Sequence, residues 1–281
     1  MSRVRALVFH HALGFVHQSI PDAVAAIVAM GQDHNFQVAT TADPRAFTTA
    51  NLDRFDVVML VHTSGNVLSE PETRVALERF VRTGGGVVAV HAAASVGPQV
   101  LDEWPWYRAL IGAAFTGHTD ACVYCDNALE DGPGIRYGGL WADAPDDAEI
   151  VADRVAMTTW ETAVVHVEAN AHWPECHVGA GLIDGATRSD EWYGFDANPR
   201  ANVQVVATVD ETTYRPGLGT MGSDHPILWW HDFDGGRCVY NAMGHARATW
   251  SDPAFLDSVL GGILWAAQHR MPVVGGTHRE P

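Results

Sequence analysis

Short apolar runs alternate with amphipathic segments along the first 90 residues. Val4 to Phe9, Phe36 to Thr40 and Phe55 to His62 are predicted strands, and Pro71 to Val81 is a predicted helix. The run from Val87 to Val90 is apolar throughout, as expected for a strand buried on both faces. Strands that alternate with helices predict a mostly parallel sheet covered by helices, which is the α/β class.

Strand signals return in the second half of the chain, at Val164 to Val167 and at Val203 to Val209. Asp234-Gly-Gly236 is typical of a tight hairpin turn, with a returning strand after it. The stretch from Thr119 to about Val164 is poorer in apolar residues and carries turn signals. We interpret the chain as a single domain over 1–281 with an insertion at about 119–164.

The segment Arg82-Thr-Gly-Gly-Gly-Val-Val-Ala-Val-His91 places a histidine where a buried strand ends. In open α/β sheets the crevice beyond the carboxyl ends of the strands is the usual ligand site. His91 is therefore a candidate base, hydrogen-bond donor or metal ligand, the alternative being a structural residue that caps the strand. His10 and His62 also follow predicted strands, so neighbouring parallel strands would bring the three histidines to one rim.

Composition narrows the class of partner. A net charge of −17, with only 17 lysines and arginines, argues against nucleic acid. No run approaches the roughly 18 apolar residues of a membrane span, so neither a membrane partner nor a signal peptide is expected. Four cysteines do not form a disulfide framework, which favours the cytoplasm. The 15 histidines and 10 tryptophans suit a metal or a sugar-like ligand.

Acidic residues beside aromatic ones are candidate acid–base groups. Asp190-Glu191-Trp192-Tyr193 places two carboxylates next to two rings. Desolvation raises the pKa of such a carboxylate and suits it to general acid or base catalysis, whereas the alternative is a solvated turn. Asp224-His225 resembles an Asp-oriented histidine, although an aspartate there equally suits a turn cap.

Metal binding is predicted from the histidines, because zinc accepts His, Cys and carboxylate ligands. The expected cofactor is one divalent metal ion, with zinc as the expected ion, on His10, His91 and His118. An alternative is a closed structural site at Cys122-x-x-Cys125 with Cys176-His177, against a disulfide or free thiols there. A dinucleotide site is not expected, because Gly217-x-Gly219-x-x-Gly222 does not follow a strand and open a helix.

Ten motifs occur together in the order of a known family. The sequence resembles the ThuA (trehalose utilisation) family, within the class I glutamine-amidotransferase-like superfamily, over nearly the whole chain. The resemblance implies a flavodoxin-like three-layer sandwich with a central, mostly parallel sheet. The motifs that carry it are Phe15-Val-His17-Gln-Ser, Gly84 to His91, Tyr107 to Gly112, Gly117-His118, Asp190-Glu191-Trp-Tyr, Ala207 to Glu211, Met221 to Ile227, Gly235-Gly-Arg, Gly244-His245 and Gly261 to Trp265.

By this resemblance, His91 stands where the amidotransferases keep their nucleophilic cysteine, so glutaminase activity is not expected. The family implies a role in sugar catabolism, on a sugar or a 3-keto glycoside. We expect a hydrolase, lyase or isomerase that uses His/Glu acid–base chemistry, with His91, Glu191 and His245 as the catalytic residues. The expected substrate-binding residues are His17, Ser64, His118, Asp190, Trp192, Tyr193, Asp224 and His225.

The alternative hypothesis to an enzyme is a non-catalytic sugar-binding or regulatory protein on the same amidotransferase-like scaffold. In both readings the partner is a small-molecule carbohydrate, and a homodimer is expected because such folds often pair. The sequence departs from the family pattern in the length of the 119–164 stretch and at His172-Trp-Pro, where His-Pro is more usual. Both departures bear on substrate specificity more than on the fold.

Overall fold

The computed structural model describes residues 3–118, 136–137, 140–141, 160–168 and 177–268. The α-helices in these ranges are α1 Ile20–Asp33, α2 Thr49–Leu52, α3 Pro71–Arg82, α4 Pro98–Glu103, α5 Pro105–Ile111 and α6 Pro253–Ala267. The strands are β1 Arg5–Phe9, β2 Gln37–Thr41, β3 Val57–Val61, β4 Gly86–Val90, β5 Phe115–His118, β6 Arg136–Tyr137, β7 Leu140–Trp141, β8 Glu161–Val167, β9 Ala186–Asp190, β10 Tyr193–Phe195, β11 Gln204–Val209, β12 Pro226–Phe233 and β13 Gly236–Asn241.

One nine-stranded sheet organises the molecule, in the order β2-β1-β3-β4-β13-β12-β11-β8-β9. The first five strands in that order pair in parallel, with the 2-1-3-4-5 arrangement of flavodoxin-like folds. Antiparallel pairing then extends the sheet through β12, β11, β8 and β9. The α/β, flavodoxin-like class predicted from the sequence is confirmed.

Helices cover both faces of the sheet, which gives three layers. Val239 on β13 packs against Gly262 of α6 on one face. Successive residues of a strand point to opposite faces, so the neighbouring Tyr240 lies on the other side, beside Trp229 at 4.6 Å between ring centroids. The Trp229 indole N–H donates to the carbonyl of Ile111, at the end of α5, over 2.7 Å.

The strands β3 and β4 are buried along their whole length, as their unbroken apolar sequences predict. The predicted hairpin is also confirmed, because β12 and β13 pair directly across Asp234 and Gly235. Both turn residues have positive φ, 48° and 91°, as a type I′ turn requires.

The predicted insertion at about 119–164 lies largely outside the described residues. Within it the structure gives the short antiparallel pair β6–β7, and its last residues begin β8. Cys122, Cys125 and Cys176 of the alternative zinc site also lie outside the described residues. In the described part of the chain, no helix is long and apolar enough to cross a membrane.

Candidate active site

Two histidines stand at the carboxyl ends of neighbouring parallel strands. His62 follows β3 and His91 follows β4, with ring centroids 5.4 Å apart. Both residues have left-handed backbones, with φ of 52° and 51°. Such a conformation is unusual for residues other than glycine and is concentrated at functional sites. The Tyr240 hydroxyl, which donates to the His91 carbonyl over 2.9 Å, helps to hold this turn in place.

Asp190, the last residue of β9, ties a second pair of chain segments to this edge. One of its carboxylate oxygens accepts the backbone N–H groups of Glu191 and His245, over 2.9 and 3.0 Å. The other accepts the N–H of Gly244 at 2.8 Å and the hydroxyl of Thr249 at 3.2 Å. Asp190 is 1% exposed. These hydrogen bonds to the Asp190 carboxylate therefore fix the backbone positions of Glu191 and His245.

Glu191 meets three imidazoles in the interior. Its Oε2 lies 3.2 Å from Nε2 of His91 and 3.1 Å from Nδ1 of His245, and these two nitrogens are 3.3 Å apart. Its Oε1 faces Nδ1 of His118 at 3.7 Å. These side chains are at most 5% exposed. A buried carboxylate surrounded by imidazoles has the components of an acid–base centre.

His17 completes the group from the loop that follows β1. Its ring centroid lies 4.9 Å from that of His91 and 5.1 Å from that of His245. One ligand atom from each of His17, His91, Glu191 and His245 lies within 4.8 Å of those of the other three. We call these four residues the imidazole–carboxylate cluster. The His62 ring packs against the His17 ring, at 4.6 Å between centroids.

Burial and mutual proximity set the charge states of this interior. Burial, with a contribution from neighbouring imidazoles, holds the pKa values of His17 and His62 well below the ordinary histidine value. Burial alone would raise the pKa of Glu191. His118, His245 and His91 lower this pKa by more than burial raises it, so the net pKa lies well below the ordinary glutamate value. The expectation of a raised pKa at Glu191 is therefore wrong, because the imidazoles outweigh desolvation.

The His91 ring has a fixed orientation. Its Nδ1 lies 2.6 Å from the carbonyl oxygen of Ala242. A carbonyl only accepts hydrogen bonds, so Nδ1 carries the proton and donates it. In the neutral ring, Nε2 then has a free lone pair that points at Glu191 and His245.

Aromatic rings border the cluster. The Tyr193 ring packs on His91 at 4.1 Å between centroids and on Phe115 at 4.2 Å. Trp160 lies 5.8 Å from His245. Trp192, by contrast, is 1% exposed, and its N–H donates to the carbonyl of Glu161, so its contacts are those of a core residue.

A cavity of about 620 Å³ reaches His17 from the surface. His10 and His11 line it on one side, and Asp22 and Arg247 line it on the other, joined by an ion pair of 2.8 Å. His10 is only partly buried and lies outside the imidazole–carboxylate cluster. The cavity is an approach to the cluster of a size that suits a sugar.

The structure thus brings together most of the residues singled out in the sequence. One centre is surrounded by six of these residues: His17, His91, His118, Glu191, Tyr193 and His245. Asp190 is hydrogen-bonded to the backbone of Glu191 and His245. Ser64 lies beside the His17 loop, where its hydroxyl donates to the Phe15 carbonyl over 2.7 Å.

Asp224 and His225 lie apart from the cluster. Asp224 pairs with Arg200 at 2.6 Å. His225 reaches the site only indirectly, since its Nε2 bonds to the Tyr193 carbonyl at 2.8 Å. Its carboxylate neighbour is Glu211, at 2.9 Å from Nδ1, rather than the adjacent aspartate.

Sequence reasoning missed several contributors to the site. His62 was recognised as a strand-end residue but was not assigned a role. Trp160 and the acceptor carbonyl of Ala242 carried no sequence signal. Glu211 lay within a family motif, but nothing in its neighbourhood along the chain indicated a contact with His225.

The fold and the site together define an α/β, flavodoxin-like protein with a buried carboxylate among histidines at the carboxyl edge of its parallel strands. The sequence model of the ThuA family, described as trehalose utilisation, matches residues 5–266. The chain therefore belongs to the ThuA family, whose description gives it a carbohydrate-related role.

Solved structures support the fold. A ThuA-like protein from Bacteroides uniformis is 20% identical, with a TM-score of 0.67 over 94% of this chain and 91% of that one. One from Parabacteroides merdae is also 20% identical, with a TM-score of 0.62 over 95% and 90%. A cytoplasmic protein from Salmonella typhimurium is 11% identical, with a TM-score of 0.50 over 94% and 98%. No curated protein matches the sequence.

Proposed function

We propose that this protein is a carbohydrate-catabolic enzyme that acts on a sugar derivative, with a 3-keto glycoside as the preferred substrate class. The observation that carries the proposal is the buried Glu191 carboxylate with three imidazoles at 3.1 to 3.7 Å. The neighbouring Asp190 has a structural role, because its carboxylate accepts four hydrogen bonds that hold the backbone, whereas the contacts described for the Glu191 carboxylate are to imidazoles. The family membership supports the carbohydrate part of the proposal.

The chemistry follows from the keto group. A carbonyl at C3 of the sugar acidifies the hydrogens on C2 and C4, so a carboxylate base is strong enough to remove one. Glu191 takes the proton from C2, and the electron pair left behind forms the enolate across C2, C3 and the carbonyl oxygen. The imidazole of His118, which faces Oε1 of Glu191, supplies an N–H group that stabilises the developing charge, as a preorganised donor does in a site that excludes water.

Several outcomes share this first step. If the bond from C1 to the glycosidic oxygen breaks, the enolate collapses to an alkene and the departing oxygen takes a proton from an imidazole, which is elimination. Addition of water to the alkene then completes a net hydrolysis. Return of the proton to C3, with transfer of the C2 hydroxyl proton to the oxygen on C3, moves the carbonyl from C3 to C2, which is isomerisation. All of these reactions require one group that removes a proton and a second that supplies one.

The cavity beside His17 supports a ligand of this class. It is lined by an aspartate, an arginine and imidazoles, which are the kinds of group that hydrogen-bond to sugar hydroxyls. The Trp160 ring, which is only partly buried beside His245, offers an apolar face on which a sugar ring packs. We place this activity in the cytoplasm, in line with the scarcity of cysteine.

The test is a turnover screen in which 3-keto glucosides and the matching unoxidised glucosides are followed by NMR. We expect consumption of the keto compounds only, and a loss of about 100-fold or more in Glu191→Gln and in His91→Asn. Asparagine tolerates the left-handed backbone at residue 91, so this variant removes the imidazole without adding strain.

Glu103→Gln is the matched control. Glu103 belongs to α4, where it makes an ion pair of 3.6 Å with Arg74 and accepts a hydrogen bond of 2.8 Å from the Gln99 amide, both away from the cluster, so turnover should stay at the wild-type rate. Binding of the sugar with no turnover would favour the sugar-binding alternative. Turnover that is unchanged in Glu191→Gln would remove the assignment of the base.

A further inference from the structure

We propose that His17, His91, Glu191 and His245 bind one divalent transition-metal ion, of the kind that imidazole and carboxylate ligands select. This set shares only His91 with the set expected from the sequence. His10 lies at the outer cavity, and His118 faces the opposite carboxylate oxygen from the one that meets His91 and His245. The inference concerns ligand binding and does not depend on the substrate proposed above.

With neutral imidazoles, the cluster has fewer protons than acceptors. In a neutral His91 ring the one proton lies on Nδ1 and is donated to the Ala242 carbonyl, so Nε2 and Glu191 Oε2 then face each other at 3.2 Å as two acceptors. A proton on Nδ1 of His245 could bond to one of them or be shared, but it leaves no second donor. A cation at the common focus of the three atoms satisfies all of them at once.

The spacing of the three atoms matches a coordination sphere. Zinc binds imidazole nitrogen and carboxylate oxygen at about 2.0–2.2 Å, so two ligands of one ion lie roughly 3.0–3.5 Å apart in octahedral or tetrahedral geometry. The observed separations among His91 Nε2, His245 Nδ1 and Glu191 Oε2 are 3.1, 3.2 and 3.3 Å. His17 provides the fourth ligand, within 4.8 Å of the others.

One buried atom of the cluster, Nδ1 of His17, has no hydrogen-bond partner among the residues that the structure describes. His17 is 3% exposed. Unsatisfied buried polar atoms cost free energy unless a ligand, ion or water meets them. The bond from His91 Nδ1 to the Ala242 carbonyl is the outer-shell contact that metal-binding histidines usually make, and it orients Nε2 towards the cluster.

The two oxygens of Glu191 then have separate roles. Oε2 belongs to the ligand set, whereas Oε1 faces His118 and is the oxygen available to take a proton. A divalent ion bound here would supply Lewis-acid polarisation of a carbonyl or hydroxyl oxygen of the substrate. His118 therefore acts on protons, and His17, His91 and His245 act as ligands.

The test uses the full chain without an affinity tag, stripped with a chelator and titrated with Zn²⁺ and, separately, with Mn²⁺. We expect about one bound ion per chain, by calorimetry and by elemental analysis after desalting. His245→Gln and His17→Gln should lower the affinity about 10-fold or more, as loss of a contact in the ligand shells does.

Two matched variants are expected to keep the ion. His118→Gln removes an imidazole from the same interior but lies outside the ligand set, and His10→Gln removes the histidine that the sequence had favoured as a ligand. Retention of one equivalent by both variants, with loss in His245→Gln, supports the proposal. Loss in His10→Gln together with retention in His245→Gln overturns it.

A spectroscopic measurement on the wild-type chain covers the case in which a variant does not fold. Co²⁺ bound by imidazole and carboxylate should give ligand-field bands without a thiolate charge-transfer band. A thiolate band that disappears in Cys122→Ser would assign the ion to the cysteines and overturn the proposal. Failure of the wild-type chain to bind Zn²⁺, Mn²⁺ or Co²⁺ at micromolar concentration overturns it as well, while leaving the turnover screen unaffected.

Discussion

Glu191 and His91 face each other across 3.2 Å in the interior, and each reaches this position from a different sheet strand. His91 follows β4 in the parallel half, whereas Glu191 follows β9 at the antiparallel edge. The Asp190 carboxylate joins the two halves, because it accepts the backbone N–H groups of Gly244 and His245. The site therefore depends on a contact between parts of the chain that are 100 residues apart.

Replacing Asp190 should disturb the site through the backbone. Asp190→Asn keeps the size of the side chain but replaces one acceptor oxygen by an amide that cannot accept from Gly244 or Thr249. We predict a loss of about 1–3 kcal/mol in the free energy of unfolding, measured by urea denaturation, and slower turnover. Asp53→Asn, which weakens an exposed ion pair of 3.2 Å with Arg79, should change stability by less than about 0.5 kcal/mol.

Ser64 should act on His17 through the intervening loop. Ser64→Ala removes the donor to the Phe15 carbonyl, and leaves the bonds from Leu13 and Gly14 to the Ser64 carbonyl in place. We predict faster hydrogen exchange in residues 12–16, detected by mass spectrometry, and a turnover loss of up to about fivefold, the equivalent of about 1 kcal/mol.

Ser69→Ala is the control for this variant, because the Ser69 hydroxyl contacts only the exposed carboxylate of Glu70 among the contacts described. Exchange in residues 12–16 should be as in the wild type. If Ser64→Ala also leaves exchange there unchanged, the loop is held by its backbone bonds alone and Ser64 has another role.

Two glycines at the contact between α6 and the central sheet should change stability in opposite directions when replaced by alanine. A Cβ at Gly86 would lie 2.4 Å from the carbonyl oxygen of Ala266, so Gly86→Ala should destabilise the fold by about 1–3 kcal/mol or more. A Cβ at Gly262 would lie 3.4 Å from Val239, an ordinary contact. Gly262→Ala should stabilise α6 by about 0.5–1 kcal/mol. Thermal unfolding of the two variants measures both effects, and shifts of the same sign would contradict this packing.

His231 should contribute to acid destabilisation. Burial lowers the pKa of His231 below the ordinary value, although its bond to the Leu110 carbonyl at 2.8 Å works in the opposite direction. The unfolded chain therefore binds a proton at higher pH than the folded one, so stability is complete above about pH 6.5 and falls as the pH drops through that value.

The variant His231→Gln keeps a donor for Leu110 but does not titrate. Between pH 7.5 and 5.5 it should lose less stability than the wild type, by at most about 1.4 kcal/mol. Urea denaturation at the two pH values measures the difference, and His34→Gln on the surface serves as a control. An identical loss in wild type and His231→Gln would show that His231 is not a source of the pH dependence.

The parallel half of the fold could be predicted from the sequence because its signals are local. Four apolar residues ending in His91 indicate a buried strand and a residue at its carboxyl end without reference to the rest of the chain. The same reasoning placed His62 and His91 on one rim, where they lie 5.4 Å apart. The order of neighbouring parallel strands was therefore enough to predict that His62 and His91 lie close together.

The finer geometry of the site could not be predicted in this way. His10 follows a strand just as His62 does, but the chain turns so that His17, seven residues later, enters the cluster instead. Asp224 is adjacent to His225 in sequence, yet the carboxylate at 2.9 Å is that of Glu211. Side-chain direction and long-range partners decided these cases, and neither is encoded in spacing along the chain. The direction of the Glu191 pKa shift was predicted wrongly for the same reason, since the three imidazoles that lower this pKa come from distant segments of the chain.

Solvent deuterium incorporation tests the central claim most directly. A 3-keto glucoside incubated with the protein in D₂O should gain deuterium at the carbon next to the carbonyl faster than in buffer, as followed by NMR. Glu191→Gln should reduce that enzyme-dependent exchange about 100-fold or more, and Glu103→Gln should leave it unchanged. Exchange at the wild-type rate in Glu191→Gln, or a hydrolysis product that retains the original hydrogen at that carbon, would contradict the proposal that Glu191 removes a proton beside the keto group.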